Sequence, residues 1–406
     1  MPGNPPYSRR AVGAGPDRRQ ASQRYRRNRR SELAVWWREI DRVVLALVLA
    51  LMAIGAAAVA AASPASARRL STASVALTDL HFLSLHLRWQ VLGLAAMLGA
   101  SMLPRDWARR LGILLGAAMI VALLLVPLVG SEVNGARRWL NLGISLQPSE
   151  FLKPAYAVGL AWILSWRVRD PQLPVLAMSV AVMALVTALL MLQPDFGSTI
   201  LFVGVWFVLV LLSGLPSRMI AICCVGGGTL LVATYLLYDN ARNRIDAFLG
   251  GGTAFDQVDL AQRTLLSGGW SGTGLWLGTR KFSLPEAHTD YIFSVIGEEF
   301  GLMVCVVIVL IYLALIARVL VRLVEEDDLF TVLAATGLAS QLGGQAFINI
   351  LVNLQLFPSK GMTLPLISYG GSSTVALCLT VGLLLAVTRR NPFIKRDIML
   401  AREGTR

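Results

Sequence analysis

The sequence predicts an all-α, polytopic membrane protein with about ten transmembrane helices. Three observations carry that prediction. Hydrophobic residues make up 55% of the 406-residue chain and charged residues only 15%, with a mean hydropathy of +0.63. Soluble domains carry roughly 25% charged residues. Charge-free runs recur along the chain, many near the roughly 20 residues that a helix needs to cross about 30 Å of hydrocarbon. Basic residues also gather in alternate connecting segments, as the positive-inside rule requires. This composition excludes a disordered chain, a collagen-like fibre and a secreted disulfide scaffold.

The elements follow in order. Residues 1–42 hold eleven arginines and form a basic tail, of which 1–31, rich in Arg, Ser, Pro and Gly, is expected to be disordered in the cytoplasm. The net charge of +13 could suggest nucleic acid, but a basic tail beside membrane spans is a topology signal, and no nucleic-acid partner is expected. Run 43–62 is a full span, and its basic flank is too long for a cleavable signal peptide. Run 89–104 is the weakest span, with Arg88 snorkelling at its end. Runs 111–131 and 147–166 come next, the latter with Glu150 and Lys153 in its first turn. Spans 171–194, 196–217 and 219–238 lead to a long loop, 239–290. Within that loop, 255–266 alternates at helical spacing and is expected to lie on the membrane surface. Spans 300–317, 329–359 and 361–388 complete the transmembrane domain 43–388, before a tail at 389–406. With both termini cytoplasmic, segments 131–146, 239–290 and 356–371 face outward, and the polar residues of interest gather there. Cys223, Cys224, Cys305 and Cys378 sit in apolar runs without metal spacing and read as buried small hydrophobes.

No Walker-type loop, HExxH or Cys/His cluster is present, and a serine nucleophile with a histidine base is hard to assemble from His81, His86 and His288. Glycines 226–228 suit close helix packing or a kink. The richest stretch is 284–293. There Thr289 or Asp290 could cap the following helix, or Asp290 could be a carboxylate held at the outer boundary to remove a proton from a substrate hydroxyl. Glu298 and Glu299 follow roughly 12 Å further along a helix. They are expected to face a polar interior, one of them paired with Lys153. Arg137 and Arg138 beside Trp139 suit an interfacial anchor or a clamp for a lipid-linked diphosphate. Glu150 and Lys153 are i,i+3 neighbours, expected to form an ion pair facing a cavity. Asp195, in 193–198, is either a boundary charge or cap or part of the same outer cluster. Segment 357–373, with Lys360 and Ser368, is too rich in Gly and Pro for an unbroken helix and reads as a re-entrant wall.

Taken together, 134–139, 147–153, 193–197, 284–293 with 297–301, and 358–373 resemble the SEDS family (shape, elongation, division and sporulation proteins). The resemblance runs from about residue 43 to 392. Segments 358–365 and 284–290 are more similar to the FtsW branch than to RodA, while 268–281 departs from the family pattern. The resemblance implies a ten-helix fold with a large extracytoplasmic loop before helix 8. It also implies a peptidoglycan glycosyltransferase that polymerises lipid II at the outer face of the bacterial cytoplasmic (inner) membrane, for septal wall synthesis in division. An acceptor hydroxyl would displace a lipid diphosphate with inversion, which needs one base rather than a pair of carboxylates. Asp290 matches the family's catalytic aspartate. Substrate contacts are expected from Arg138, Glu150, Lys153, Asp195, His288, Lys360 and Ser368. No metal-ligating residues are assigned, although a divalent cation (Mg2+ or Mn2+) could share the diphosphate charge. The implied partners are a class B penicillin-binding protein and other division proteins. The competing readings are a lipid II flippase, a RodA-type elongation polymerase, or a division scaffold. Concentration of polar groups in the outer half favours an enzyme over a transport path.

Overall fold

The computed structural model describes residues 32–72, 76–133, 136–141, 143, 145–237, 242, 245–246, 257–358 and 361–390. Two units are resolved. In the smaller, helix α1 (Glu32–Glu39) ends at Glu39, whose carboxylate accepts from Arg389 Nη2 at 2.7 Å and Nε at 3.1 Å.

The larger unit spans 41–388 and is almost entirely helical. Its elements are α2 (Arg42–Leu70), α3 (His81–Ser101), α4 (Arg105–Val129), α5 (Pro148–Arg169), α6 (Val175–Leu192), α7 (Phe196–Leu212) and α8 (Ser217–Leu237). These are followed by α9 (Gln257–Ser267), α10 (Ile292–Phe300), α11 (Leu302–Leu323), α12 (Leu329–Asn353) and α13 (Ser372–Val387). Six of these, α2, α3, α4, α6, α8 and α11, are long and apolar enough to cross a membrane. Helices suit such a setting because every interior backbone group is paired within the segment.

Helix α2 starts at Asp41, whose carboxylate accepts from Val43 N at 2.9 Å and is ion-paired with Arg318 and Arg322 of α11. It runs eight residues past the expected end because Ser63 and Ser66 are buried with partners: Phe82 N donates to Ser63 Oγ, and Ser66 Oγ meets His288 Nδ1. At Gly55 the 366–367 backbone comes so close that an added Cβ would sit 2.8 Å from Ile367 Cα. Only glycine allows that approach. Helices α5, α12 and α13 are buried along most of their length and form the centre, whereas α11 turns a stripe of Met303, Val306, Leu310 and Leu313 outward.

Four sequence expectations need correction. The fold is not purely α: 131–146 contains a small antiparallel sheet, β1 (Ser131–Val133), β2 (Ala136–Asn141) and β3 (Ser145–Leu146), with Leu140 opposite Leu146. Pairing its own strands satisfies part of this connection's backbone groups, and β2 lies against α4 and α5. Second, α9 is not laid on a membrane surface alone. It buries Val258, Ala261, Thr264 and Leu265 and packs on α10. Third, of the four cysteines only Cys305 and Cys378 are buried; Cys224 is exposed and Cys223 half-buried on α8, none of whose described side chains is buried. Fourth, neither Thr289 nor Asp290 caps α10. The cap position is Tyr291, without a side-chain hydrogen bond.

The eighth predicted run, 300–317, lies almost wholly in α11, and a short separate helix, α10, precedes it. Gly301, at φ +86°, separates α10 from α11. Such a break frees backbone groups that must find partners, and the 269–274 backbone supplies them. Leu302 N donates to Gly269 O at 3.0 Å and Met303 N to Trp270 O at 3.3 Å. In return Thr273 N donates to Glu298 O at 2.9 Å and Gly274 N to Glu299 O at 3.0 Å.

Candidate active site

Asp290 is the last residue but one before α10, in a segment with no regular structure of its own. Its main chain is held firmly. The carbonyl accepts from Asn349 Nδ2 at 2.8 Å and from Asn353 Nδ2 at 3.2 Å, both on α12. Ser368 Oγ donates to the preceding carbonyl, Thr289 O, at 2.6 Å and accepts from Leu364 N at 2.8 Å. By contrast, the Asp290 carboxylate takes part in no hydrogen bond that the described residues show. It is half-buried, and Gly361 lies alongside, where a Cβ would be 3.3 Å from Oδ2.

The acidity of this group is shifted. Protein packed around it pushes the Asp290 pKa up to about 7, the negative Glu286 and Glu150 add to the rise, and positive Arg138 opposes it. Glu286 sits at φ +52°, with its carboxylate accepting from Thr289 Oγ1 at 2.9 Å. A carboxyl titrating near neutrality beside a cation is suited to proton transfer.

Arg138, on β2, reaches over to the turn between α6 and α7. Its Nε donates to Gln193 O at 3.1 Å, its Nη2 to Pro194 O at 2.6 Å, and its Nη1 lies 3.9 Å from Asp195 Oδ1. Asp195 acts as the N-cap of α7, accepting from Ser198 N at 3.2 Å. Lys153 is buried on α5, donating to Glu150 Oε1 at 2.7 Å and to Gln345 Oε1 at 2.8 Å. The second Glu150 oxygen, Oε2, is buried without a partner.

The expected pairing of Lys153 with Glu298 or Glu299 is therefore wrong. Both glutamates serve the 276–281 segment instead. Glu298 accepts from Arg280 N at 2.7 Å and Lys281 N at 2.9 Å. Glu299 accepts from Trp276 N at 2.8 Å and is ion-paired with the buried Lys281 ammonium, which also donates to Ala61 O at 2.9 Å.

His288 is buried, stacked on Tyr369 with centroids 5.4 Å apart and packed against Phe82 at 4.3 Å. Burial lowers its pKa to about 4, so it is neutral at neutral pH. Lys360, with Ser359, lies outside the described residues. The structure thus brings Asp290, Arg138 and Glu150 within electrostatic reach of one another, with Lys153 on Glu150. Ser368 and His288 instead anchor the segment that carries Asp290. Among the described residues no three of His, Cys, Asp or Glu gather to hold a metal ion.

Sequence reasoning missed Gln345, Asn349, Asn353 and Lys281. The amides had a signal: polar residues at four-residue spacing in an otherwise apolar helix put them on one face.

Comparison with known proteins locates the chain among relatives. The family model FtsW/RodA/SpoVE, described as cell cycle protein, matches residues 41–392. A probable peptidoglycan glycosyltransferase FtsW from Caulobacter vibrioides is 35% identical over 377 residues, covering 92% of this chain and 95% of the relative. Another, from Hahella chejuensis, is 36% identical over 375 residues, covering 86% and 90%. Among solved structures, a chain from a peptidoglycan synthase complex that coordinates polymerization and crosslinking is similar at a TM-score of 0.71 and 30% identity, with 86% of this chain and 97% of that one covered. The rod shape determining protein RodA of Thermus thermophilus follows at a TM-score of 0.63 and 30% identity, with 87% and 97% covered.

Proposed function

The chain belongs to the FtsW/RodA/SpoVE family of cell cycle proteins, and from that premise we propose that Asp290 is the general base of a lipid II polymerase. The enzyme is a peptidoglycan glycosyltransferase of the FtsW type, embedded in the membrane. In this reading the chain has ten spans, both termini are cytoplasmic and the 239–290 loop lies outside, so that Asp290 would face the outer side of the inner membrane; the FtsW type of the relatives supports a septal role. A class B penicillin-binding protein would take the new strand for crosslinking, and the likeness to a chain from a synthase complex supports such a partner.

The observation that carries this reading is a half-buried carboxylate whose own backbone is fixed while its side chain is left unbonded by the described residues. The acceptor sugar hydroxyl attacks C1 of the donor sugar. Its proton passes to Asp290, and the bond to the lipid diphosphate breaks, turning an α linkage into a β-1,4 linkage. One carboxylate suffices for this single displacement. Arg138 supplies positive potential at the site, and electrostatic stabilisation of a departing anion is often the largest catalytic contribution. Lys153 has its charge matched by Glu150, so it sets the potential around Asp290 through that pair rather than alone. A divalent cation (Mg2+ or Mn2+) would share the diphosphate charge, although among the described residues no three of His, Cys, Asp or Glu gather to hold one.

The test is direct. Purified protein, with and without its penicillin-binding partner, is incubated with labelled lipid II and the products are sized. Long glycan strands are expected. Translocation of lipid II across vesicles with no polymer under either condition would overturn the reading in favour of a flippase.

The pH dependence gives an independent check. Only the ionised carboxylate accepts a proton, so kcat/KM is expected to rise with pH through a midpoint near 7. Glu286→Gln removes a repelling negative charge, and its midpoint should fall below that of the parent. A flat profile between about pH 6 and 8, together with an unmoved midpoint in the variant, would count against Asp290 as the base.

A further inference from the structure

Gln345, Asn349 and Asn353 recur every four residues on α12, one turn apart on one face. All three are buried, and each joins α12 to another part of the molecule. Gln345 accepts from Lys153 Nζ at 2.8 Å and donates to Thr363 O at 2.9 Å. Asn349 directs its amide hydrogens at two carbonyls, Asp290 O at 2.8 Å and Met362 O at 2.6 Å. Asn353 donates to Asp290 O at 3.2 Å and accepts from Ser294 Oγ at 2.7 Å. Asp290 has no other tie visible among the described residues except through its neighbours in the chain.

We infer that Asn349, backed by Asn353 and Gln345, is the positioning residue for Asp290. It fixes the carbonyl from whose residue the carboxylate hangs. Its second bond holds Met362 O, and Gln345, one turn earlier, holds the adjacent Thr363 O while accepting from Lys153, which links the same segment to the Glu150–Lys153 pair. With its carbonyl held, the main chain of Asp290 is anchored to α12, so α12 sets the point from which the carboxylate reaches toward an acceptor hydroxyl and its two side-chain torsions set the rest. This inference rests on the reading of Asp290 as the base. Misplacement of a reacting group by about 1 Å can cost on the order of a hundredfold in rate.

The test measures initial polymerisation rates against lipid II concentration for the full-length parent, Asn349→Leu, Asn349→Ser and Asp290→Asn. Leucine keeps the branching of the side chain, with more bulk, and removes both donors. Serine is too short to span two carbonyls and serves as the second variant should leucine impair folding. Both are expected to lower kcat, by about 30-fold for leucine, with KM within about twofold of the parent. A folded variant whose kcat stays within about threefold of the parent, or whose KM rises as kcat falls, overturns the positioning role. If Asp290→Asn polymerises at the parental rate, the reading of Asp290 itself has failed. If Asp290→Asn is inactive and the Asn349 variants are not slowed, only the positioning role has failed.

Discussion

Purified Asp290→Asn is expected to reach the membrane and fold like the parent, yet to lose about a hundredfold to ten-thousandfold in polymerisation rate. The two halves of that result come from different atoms. The carbonyl that Asn349 and Asn353 hold is unchanged by the substitution, and the lost oxygen was accepting no hydrogen bond from the described residues. The fold therefore has little to lose. An amide, however, has no basic lone pair able to take a proton at neutral pH, and general-base catalysis contributes roughly 10²–10⁴-fold. Thermal unfolding of the detergent-solubilised variant checks the first half, and glycan yield from labelled lipid II checks the second. Undiminished glycan from a folded variant would remove Asp290 from the mechanism.

The largest effect on stability is expected at Lys281→Met. The parent ammonium is buried against Glu299 and donates to Ala61 O, joining the 276–281 segment to α2 and α10 at once. Methionine fills much of the space but leaves the Glu299 carboxylate buried with its negative charge unmatched. Removing one partner of a buried ion pair typically costs about 3–5 kcal/mol. The variant should unfold at lower temperature, and protease should cut within 268–283 sooner than in the parent. Adding Glu299→Gln, which removes the stranded charge, should recover part of the loss. Equal unfolding temperatures for parent and Lys281→Met would show that the pair contributes nothing.

The apolar runs were legible because a bilayer imposes a length and forbids charge, and both constraints can be read residue by residue. The ends were harder. Helix α2 continues through Ser63 and Ser66, which look like a loop in sequence and are buried hydrogen-bonding residues in the fold. Asp290 stood out as a carboxylate at a boundary, but whether it was a cap could be settled only by seeing the cap at Tyr291. Arg138 was expected to act on substrate, and the backbone carbonyls of Gln193 and Pro194 that it holds carry no signature in sequence at all. Charge counting hid the amides of α12, since Gln345, Asn349 and Asn353 leave a run formally uncharged while giving it a buried polar face. The partner of Glu299 was missed because Lys281 lies 18 residues away along the chain, across the irregular 284–291 segment that no periodicity describes.

The break at Gly301 has a consequence for biosynthesis. Its exposed amides and carbonyls are matched by the 269–274 backbone, which leaves the ribosome before them. That stitch can close as soon as α10 and the start of α11 emerge, with nothing later required. The amides that steady Asp290 belong to α12, which is translated afterwards. A nascent chain assembled in this order closes the stitch at Gly301 before α12 arrives to hold the Asp290 carbonyl, so if Asp290 is the base as proposed, a partly made chain would be inert until α12 has been inserted.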